Sequence, residues 1–170
     1  MSSFGRADFS RQSKGTVAEL PKQHEAPNGQ VFKWPVRVYW EDTDAGGIVF
    51  YANYLKFFER SRTEWLRSLG LEQQRLRDST GGMFIVSETK VRYLRAARLD
   101  NELIITSRLL QSGRASMTIE QQALLKSEHE SILLCEGSVR IGWVNAATLQ
   151  AARMPTVIFD SLKTEPPDPT

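Results

Sequence analysis

The sequence of 170 residues has few of the residue types that build disulfides and metal sites. Its one cysteine, Cys135, excludes an intrachain disulfide framework and fits a reducing, cytoplasmic location. With only two histidines, His24 and His129, we predict no zinc site and no metal or other cofactor. Cys135 alternates with apolar residues of a predicted strand and has no histidine near it in sequence. We therefore interpret it as a packed thiol rather than a nucleophile.

The sequence also lacks a strong charge of either sign. Its formal net charge of +2 is too small to indicate a nucleic-acid partner. No apolar run approaches the roughly 20 residues that a membrane-spanning helix needs, so we predict no membrane span. The hydrophobic fraction of 41% and the charged fraction of 25% are ordinary for a globular protein. This length suits one domain that is large enough to bury a core.

The two ends of the chain differ in composition from its middle. Residues 1–30 are polar, have no sustained period and contain no apolar segment like that of a secretory signal. Residues 163–170 end in EPPDPT and are also typical of disorder. We therefore predict a disordered N-terminal extension (1–30), a folded domain (31–162) and a disordered tail (163–170).

Hydrophobic periodicity predicts a strand, a long helix, a shorter helix and four further strands. Val36, Val38 and Trp40 alternate with other residues, which predicts a short first strand. From Tyr51 to Leu69 the apolar residues follow steps of three and four, which is typical of an amphipathic helix. The remaining predicted elements are a polar helix over 71–78 and strands over 84–94, 101–110, 115–126 and 131–143.

The order of these elements predicts an α+β architecture. The last three strands are joined by short connections, so they should be antiparallel. One helix cannot cover both faces of such a sheet, and the economical arrangement is a sheet of about five strands wrapped around the long helix. Exposed strand edges favour pairing between subunits, so we expect at least a dimer.

An acidic turn lies between the first predicted strand and the long helix. It contains Asp42 and Asp44, followed by the glycine pair Gly46 and Gly47. The start of a helix offers unused N–H groups and the positive end of the helix dipole, and both favour developing negative charge. A carboxylate beside such a site, together with these N–H groups, is the smallest set of groups that could attack an acyl carbonyl. The alternative is that Asp44 only caps a turn or the helix.

The segment EDTDAGGIVFYANYLKFFERSR resembles the signature of hotdog-fold acyl-CoA thioesterases of the 4-hydroxybenzoyl-CoA thioesterase class. It is most similar to the Tol-Pal-associated acyl-CoA thioesterase branch. The resemblance runs from about Trp34 to about Pro155 and includes the later segment AARLDNEL. It implies a hotdog fold and an enzyme, active as a homodimer or homotetramer, that hydrolyses an acyl-CoA thioester to a free acid and coenzyme A.

The resemblance also implies roles for individual residues. Asp44 matches the catalytic aspartate, which acts as nucleophile or general base. Tyr51 matches the position whose backbone N–H donates to the thioester carbonyl. Gly46 and Gly47 match the glycines that let the turn approach the acyl group closely. Asn53 is either a helix cap or a substrate contact. Relatives of the Tol-Pal branch often carry histidine where this chain has Tyr51, whereas the benzoyl-CoA branch carries tyrosine. The resemblance therefore does not indicate which branch's substrate this chain uses.

Five arginines are candidates to hold the phosphates of coenzyme A, because arginine matches phosphate geometry. They are Arg92, Arg95, Arg98, Arg108 and Arg114. The residues alone do not indicate which of them bind phosphate.

Two other functions are compatible with this fold. Hydroxyacyl thioester dehydratases use a histidine, and this chain has none between Pro35 and Glu128, which disfavours that class. The other alternative is a non-catalytic module that binds acyl-CoA or acyl-carrier protein and is linked to the Tol-Pal envelope system. Turnover of acyl-CoA distinguishes the enzyme from the module.

Overall fold

The computed structural model describes residues 31–127 and 130–162. The predicted extension, the predicted tail and both histidines lie outside these residues. The described strands are β1 (Phe32–Arg37), β2 (Gly82–Tyr93), β3 (Glu102–Ser112), β4 (Ser116–Leu125) and β5 (Ile132–Asn145). The described helices are α1 (Asn53–Ser68), α2 (Gln73–Thr80) and α3 (Thr156–Leu162), together with a one-turn 3₁₀ helix at Trp40–Asp42.

The strands form one five-stranded sheet in the order β1-β3-β4-β5-β2, and every pair in it is antiparallel. α1 packs against β1, β3 and β4, and α2 packs against β2. The α+β architecture with a sheet around a long helix is therefore confirmed. β1 and β2 are the two edges of this sheet, so one side of each strand pairs with no other strand among the described residues.

The buried face of α1 separates the core into two hydrophobic clusters. Tyr54, Phe57 and Phe58 pack in the cluster nearer the start of the helix. Trp65 and Leu66 pack in the second cluster, at the other end. The strands contribute through their two-residue period, which turns alternate side chains towards the helix. The predicted inward residues of β4 illustrate this pattern: Met117, Ile119 and Ala123 are buried and Leu125 packs against the core.

A buried polar network fastens the middle of α1 to the sheet. Ser61 Oγ and Ser107 Oγ are 2.9 Å apart and share a hydrogen bond. Gln121 Nε2 donates to Ser107 Oγ over 2.8 Å and to the carbonyl of Phe58 over 2.9 Å. Arg62 Nη1 donates to Gln121 Oε1 over 2.6 Å, and burial lowers the pKa of this guanidinium. The polar residues Ser61 and Arg62 of α1 therefore mark a close helix–sheet crossing.

The structure corrects the predicted first strand. β1 ends at Arg37, and Trp40 begins the 3₁₀ helix with 78% of its surface exposed. Val38 leaves the ladder because its N–H donates to the carbonyl of Asn101 and its carbonyl accepts from the N–H of Asp100. The Asp42 carboxylate then accepts the N–H of Tyr39 over 2.9 Å, which turns the chain.

Two further elements differ from the prediction. α1 begins at Asn53 rather than Tyr51, because Tyr51 and Ala52 form a turn closed by the hydrogen bond from Asn53 N–H to the Phe50 carbonyl. α3 was not predicted, although Pro155 directly before it is a common residue at a helix start. The other predicted elements lie within about two residues of their observed bounds.

Candidate active site

The acidic turn is built around Asp42, which is only 3% exposed. Its Oδ2 accepts the N–H of Tyr39 over 2.9 Å. Its backbone carbonyl accepts two further hydrogen bonds, both 2.9 Å long, from the N–H of Phe50 and from Nδ2 of Asn53. Asp42 is therefore a structural residue of the turn. This residue holds the two sides of the turn together.

Asp44, in contrast, lies at the exposed end of the turn. Its Oδ1 accepts the N–H of Gly46 over 2.8 Å, while its backbone N–H donates to the carbonyl of Ile48 over 2.9 Å. Among the described residues no donor contacts its second oxygen, Oδ2. The carboxylate is thus oriented through one oxygen, and the other is available for chemistry.

The two glycines are required by the shape of this turn. A Cβ atom on Gly46 would lie 3.1 Å from Oδ1 of Asp44, which is tighter than most such contacts. Gly47 has a φ of +71°, in the left-handed region that side chains disfavour. Its N–H closes the turn by donating to the Asp44 carbonyl over 3.0 Å. A larger residue at position 46 would move the Asp44 carboxylate, and one at position 47 would strain the backbone of the turn.

Tyr51 lies two residues before the start of α1, with 62% of its surface exposed. The N–H of Phe50 donates to the Asp42 carbonyl, and that of Asn53 donates to the Phe50 carbonyl. The N–H of Tyr51 makes no hydrogen bond with any described residue. It is therefore an unused donor close to the positive end of the dipole of a 16-residue helix.

Asn53 lies behind this surface rather than on it. It is buried, and its side-chain amide donates to the Asp42 carbonyl, which fixes the helix start to the acidic turn. It makes no side-chain cap of α1. A direct contact between Asn53 and substrate stays a prediction.

A row of aromatic rings runs from the core to this surface. The ring centroids of Phe50 and Tyr51 are 4.6 Å apart, and those of Tyr51 and Tyr93 are 6.0 Å apart in an edge-on arrangement. Tyr93 also lies 5.8 Å from the buried ring of Tyr54, whose hydroxyl accepts the N–H of Ala97. Burial raises the pKa of both the Tyr54 and Tyr93 hydroxyls. Sequence analysis missed Tyr93, because only the folded sheet brings the end of β2 to Tyr51.

The segment between β2 and β3 packs against the same turn. The N–H of Val49 donates to the carbonyl of Ala97 over 2.9 Å, and Ile48 forms an antiparallel bridge with Arg98. The side chains of Arg95 and Arg98 are exposed and form no hydrogen bond or ion pair with a described residue. Two unpaired guanidinium groups thus lie on the segment that contacts the turn.

The other three candidate arginines differ in their surroundings. Arg92 and Arg108 form ion pairs with Glu136 and Glu120, respectively. Arg114 lies in the connection between β3 and β4, and its carbonyl accepts the N–H of Met154, a residue of the second core cluster. Arg95 and Arg98 are the candidates on the segment that contacts the acidic turn.

Three other side chains that could react with a thioester, those of Glu64, Glu88 and Cys135, are paired or buried. Glu64 and Glu88 form ion pairs with Arg67 and Lys90. Cys135 is fully buried in β5, and burial raises the pKa of its thiol to about 12, so the prediction of a packed thiol is confirmed. Within the described part of the chain, no three His, Cys, Asp or Glu residues are grouped to hold a metal ion. No helix of residues 31–127 and 130–162 has the length and apolar character needed to cross a membrane.

Comparison with known proteins gives a consistent set of relatives. A family model described as the thioesterase-like superfamily matches residues 38–162. The chain is 37% identical over 136 residues to the acyl-CoA thioester hydrolase YbgC of Escherichia coli O6:H1. The matched region covers 80% of this chain and 98% of the relative.

Solved structures agree with the fold. The "Probable Thioesterase" from Bartonella henselae superimposes with a TM-score of 0.68 at 32% identity, covering 74% of this chain and all of that one. A 4-hydroxybenzoyl CoA thioesterase mutant complexed with 4-hydroxybenzoyl CoA gives a TM-score of 0.73, covering 78% of this chain and 98% of that one. Its 15% identity shows likeness of fold alone. The predicted hotdog fold is confirmed.

Proposed function

The chain belongs to the thioesterase-like superfamily of thioester hydrolases, and we propose that it hydrolyses an acyl-CoA thioester to a free acid and coenzyme A. The observation that carries this proposal is that the acidic turn and the approach to α1, which are joined by hydrogen bonds to the Asp42 carbonyl, each present one suitable group. One is the Asp44 carboxylate, oriented through Gly46 and with Oδ2 available. The other is the unused N–H of Tyr51 at the approach to α1.

In the proposed reaction the thioester carbonyl accepts a hydrogen bond from the N–H of Tyr51. The carbonyl oxygen gains negative charge as the tetrahedral intermediate forms, and the amide and the dipole of α1 stabilise that charge. A fixed donor of this kind contributes most when it requires no reorganisation during the reaction. The hydrogen bonds of Asp42 to both sides of the turn support that rigidity.

Asp44 then acts in one of two ways. As a nucleophile, its free oxygen attacks the carbonyl carbon, the C–S bond breaks, and water hydrolyses the resulting mixed anhydride. As a general base, it takes a proton from a water that attacks the carbonyl carbon directly. In both routes coenzyme A leaves as a thiolate, which requires no strong general acid. The absence of a histidine from residues 36–127 is compatible with either route.

We assign the phosphate contacts of coenzyme A to Arg95 and Arg98. Their side chains are exposed and unpaired among the described residues, and their segment contacts the turn through Ala97 and Arg98. Arg92 and Arg108, in contrast, already neutralise glutamates. Guanidinium groups form two parallel hydrogen bonds with phosphate oxygens, which suits the pyrophosphate and the 3′-phosphate.

The proposed active unit is a homodimer that pairs through β2, or a homotetramer of two such dimers. β2 is a 12-residue edge strand on which Ile85 and Val86 are exposed. A long exposed edge with apolar side chains favours pairing with another strand. Tyr93 ends this strand and contacts Tyr51, so a partner copy on β2 would lie beside the proposed site.

Release of thiol from a panel of short, long and aromatic acyl-CoAs tests the proposed reaction. Turnover of at least one thioester is expected. Tight binding of acyl-CoA without turnover would instead favour a non-catalytic module for acyl-CoA or acyl-carrier protein. The association with the Tol-Pal envelope system and the cytoplasmic location stay predictions. Affinity purification of the intact protein, followed by identification of its partners, tests both.

A further inference from the structure

The geometry points to Tyr93 as a specificity-determining residue, which forms with Phe50 and Tyr51 a wall that contacts the acyl group of the substrate. This inference rests on the proposed thioesterase function and adds a residue to the same site. Nothing in the acidic motif itself identifies Tyr93, which lies 49 positions after Asp44 in sequence.

The three rings form a continuous surface. The ring centroids of Phe50 and Tyr51 are 4.6 Å apart, and those of Tyr51 and Tyr93 are 6.0 Å apart. Both distances are within the range of direct aromatic contact. All three remain open to solvent, with exposed fractions of 42% for Phe50, 62% for Tyr51 and 45% for Tyr93. Large rings that are both clustered and exposed mark a surface that binds an apolar group.

The wall is held in place at both of its ends. The N–H of Phe50 donates to the carbonyl of Asp42, which ties the first ring to the turn that carries Asp44. Tyr93 packs against Tyr54, and Tyr54 packs against Phe57, both of which are buried in the core. Tyr93 is therefore the ring through which the exposed surface joins the core. A wall supported in this way keeps its position when a ligand binds.

The position of the wall indicates that it contacts the acyl group of the substrate rather than the nucleotide. Tyr51 supplies both the proposed carbonyl donor, through its N–H, and the central ring of the wall. A carbonyl held by that N–H therefore has its attached acyl group within reach of the rings. Arg95 and Arg98, which are suited to phosphate and form no ion pair with a described residue, lie on the segment after Tyr93. An acyl group with an apolar or aromatic body would gain from this wall, whereas an acetyl group is too small to cover it.

The test compares benzoyl-CoA with acetyl-CoA for Tyr93→Leu and Tyr93→Phe in the full-length protein. For Tyr93→Leu, kcat/KM for benzoyl-CoA should fall roughly three- to tenfold, because one aromatic contact is lost. The same constant for acetyl-CoA should change by less than about twofold. Tyr93→Phe retains the ring and should keep the wild-type ratio between the two substrates.

Val86→Ala is the matched control on the same edge strand. Val86 is exposed but lies roughly 20 Å from Tyr93 along β2, at about 3.3 Å per residue. Its ratio of benzoyl-CoA to acetyl-CoA turnover should equal that of the wild type. If Val86→Ala changes this ratio in the same way as Tyr93→Leu, Tyr93 acts through subunit pairing and the inference is overturned. Dissociation of the Tyr93→Leu oligomer in sedimentation experiments would overturn it for the same reason.

Equal losses on both substrates would also overturn it, since a merely structural residue affects every thioester alike. Failure of the inference is distinguishable from failure of the proposed function. If the wild type releases no thiol from any acyl-CoA, the thioesterase proposal fails. If the wild type is active and Tyr93→Leu keeps its substrate ratio, only the role of Tyr93 fails.

Discussion

The side-chain amide of Asn53 donates a hydrogen bond to the backbone carbonyl of Asp42 over 2.9 Å. These residues are 11 positions apart, and both are buried. The bond joins the first residue of α1 to the turn that carries Asp44. It thereby fixes the start of the helix, which offers the Tyr51 N–H, relative to the Asp44 carboxylate.

Asn53→Ala should therefore reduce both stability and turnover. The Asp42 carbonyl would keep the Phe50 N–H but lose its second donor, which costs roughly 0.5–1.5 kcal/mol in free energy of unfolding. Urea unfolding measures this loss, and steady-state kinetics should show a lower kcat. The exposed substitution Lys56→Ala on the same helix provides the control and should leave the unfolding midpoint close to wild type. Unchanged unfolding of Asn53→Ala would show that its hydrogen bond does not stabilise the turn.

The buried thiol of Cys135 predicts a change in stability at alkaline pH. Burial raises its pKa from 9.0 to about 12, so above pH 9 the unfolded chain loses this proton while the folded chain keeps it. Its contribution to stability is therefore complete below about pH 9 and falls as the pH rises towards 12. Urea unfolding of Cys135→Ala should show a shallower loss of stability over this range. Parallel pH profiles for the variant and the wild type would contradict the prediction.

Removal of both Arg95 and Arg98 should weaken binding of coenzyme A without affecting the chemical step. For the double alanine variant we expect KM for acyl-CoA to rise roughly tenfold. Each exposed arginine–phosphate pair contributes about 1 kcal/mol or less to binding, and two such pairs are lost. The kcat should stay near the wild-type value. An acyl thioester of N-acetylcysteamine carries no phosphate, so its KM should not change.

Arg77→Ala is the control for the loss of a positive charge. Arg77 is exposed on α2 and forms no ion pair with a described residue. Its KM for acyl-CoA should match that of the wild type. An equal rise in KM for the phosphate-free thioester would show that the two arginines do not act through phosphate.

Labelling with oxygen-18 water separates the two proposed roles of Asp44. In a single turnover with enzyme in excess, a nucleophilic Asp44 forms an anhydride, which water opens at one of its two carbonyl carbons. Attack on the Asp44 carbon leaves oxygen-18 in the protein, and mass spectrometry of the peptide that contains Asp44 detects it. Label in the protein after one turnover would indicate the nucleophilic route, whereas label found only in the released acid would contradict an anhydride that water opens at the Asp44 carbon and would leave general-base hydrolysis or opening at the acyl carbon.

The parts of the fold that depend on local pattern were predictable from the sequence. β4 and β5 follow a two-residue period, and α1 follows steps of three and four residues, so each is visible within its own segment. The turn around Asp44 is also local, because its hydrogen bonds to Gly46 and Gly47 lie within four residues. These features depend on neighbours in sequence.

The features that the sequence did not indicate depend on distant partners. Val38 has the alternation of a strand, yet its backbone bonds with residues more than 60 positions later, which ends β1 early. Tyr93 reaches Tyr51 only because β2 lies at the edge of the folded sheet. The difference between Arg98 and Arg108 depends likewise on which strand places a glutamate opposite each side chain. Such pairings are set by topology, which periodicity does not encode.

The most direct measurement is kcat for Asp44→Asn, with Glu41→Gln as the matched control. Both substitutions replace an exposed carboxylate of the same turn by its amide, which preserves size. If Asp44 attacks the thioester or activates water, Asp44→Asn should lower kcat by about a hundredfold or more, whereas Glu41→Gln should stay near wild type. Near-normal thiol release by folded Asp44→Asn would contradict both catalytic roles of Asp44.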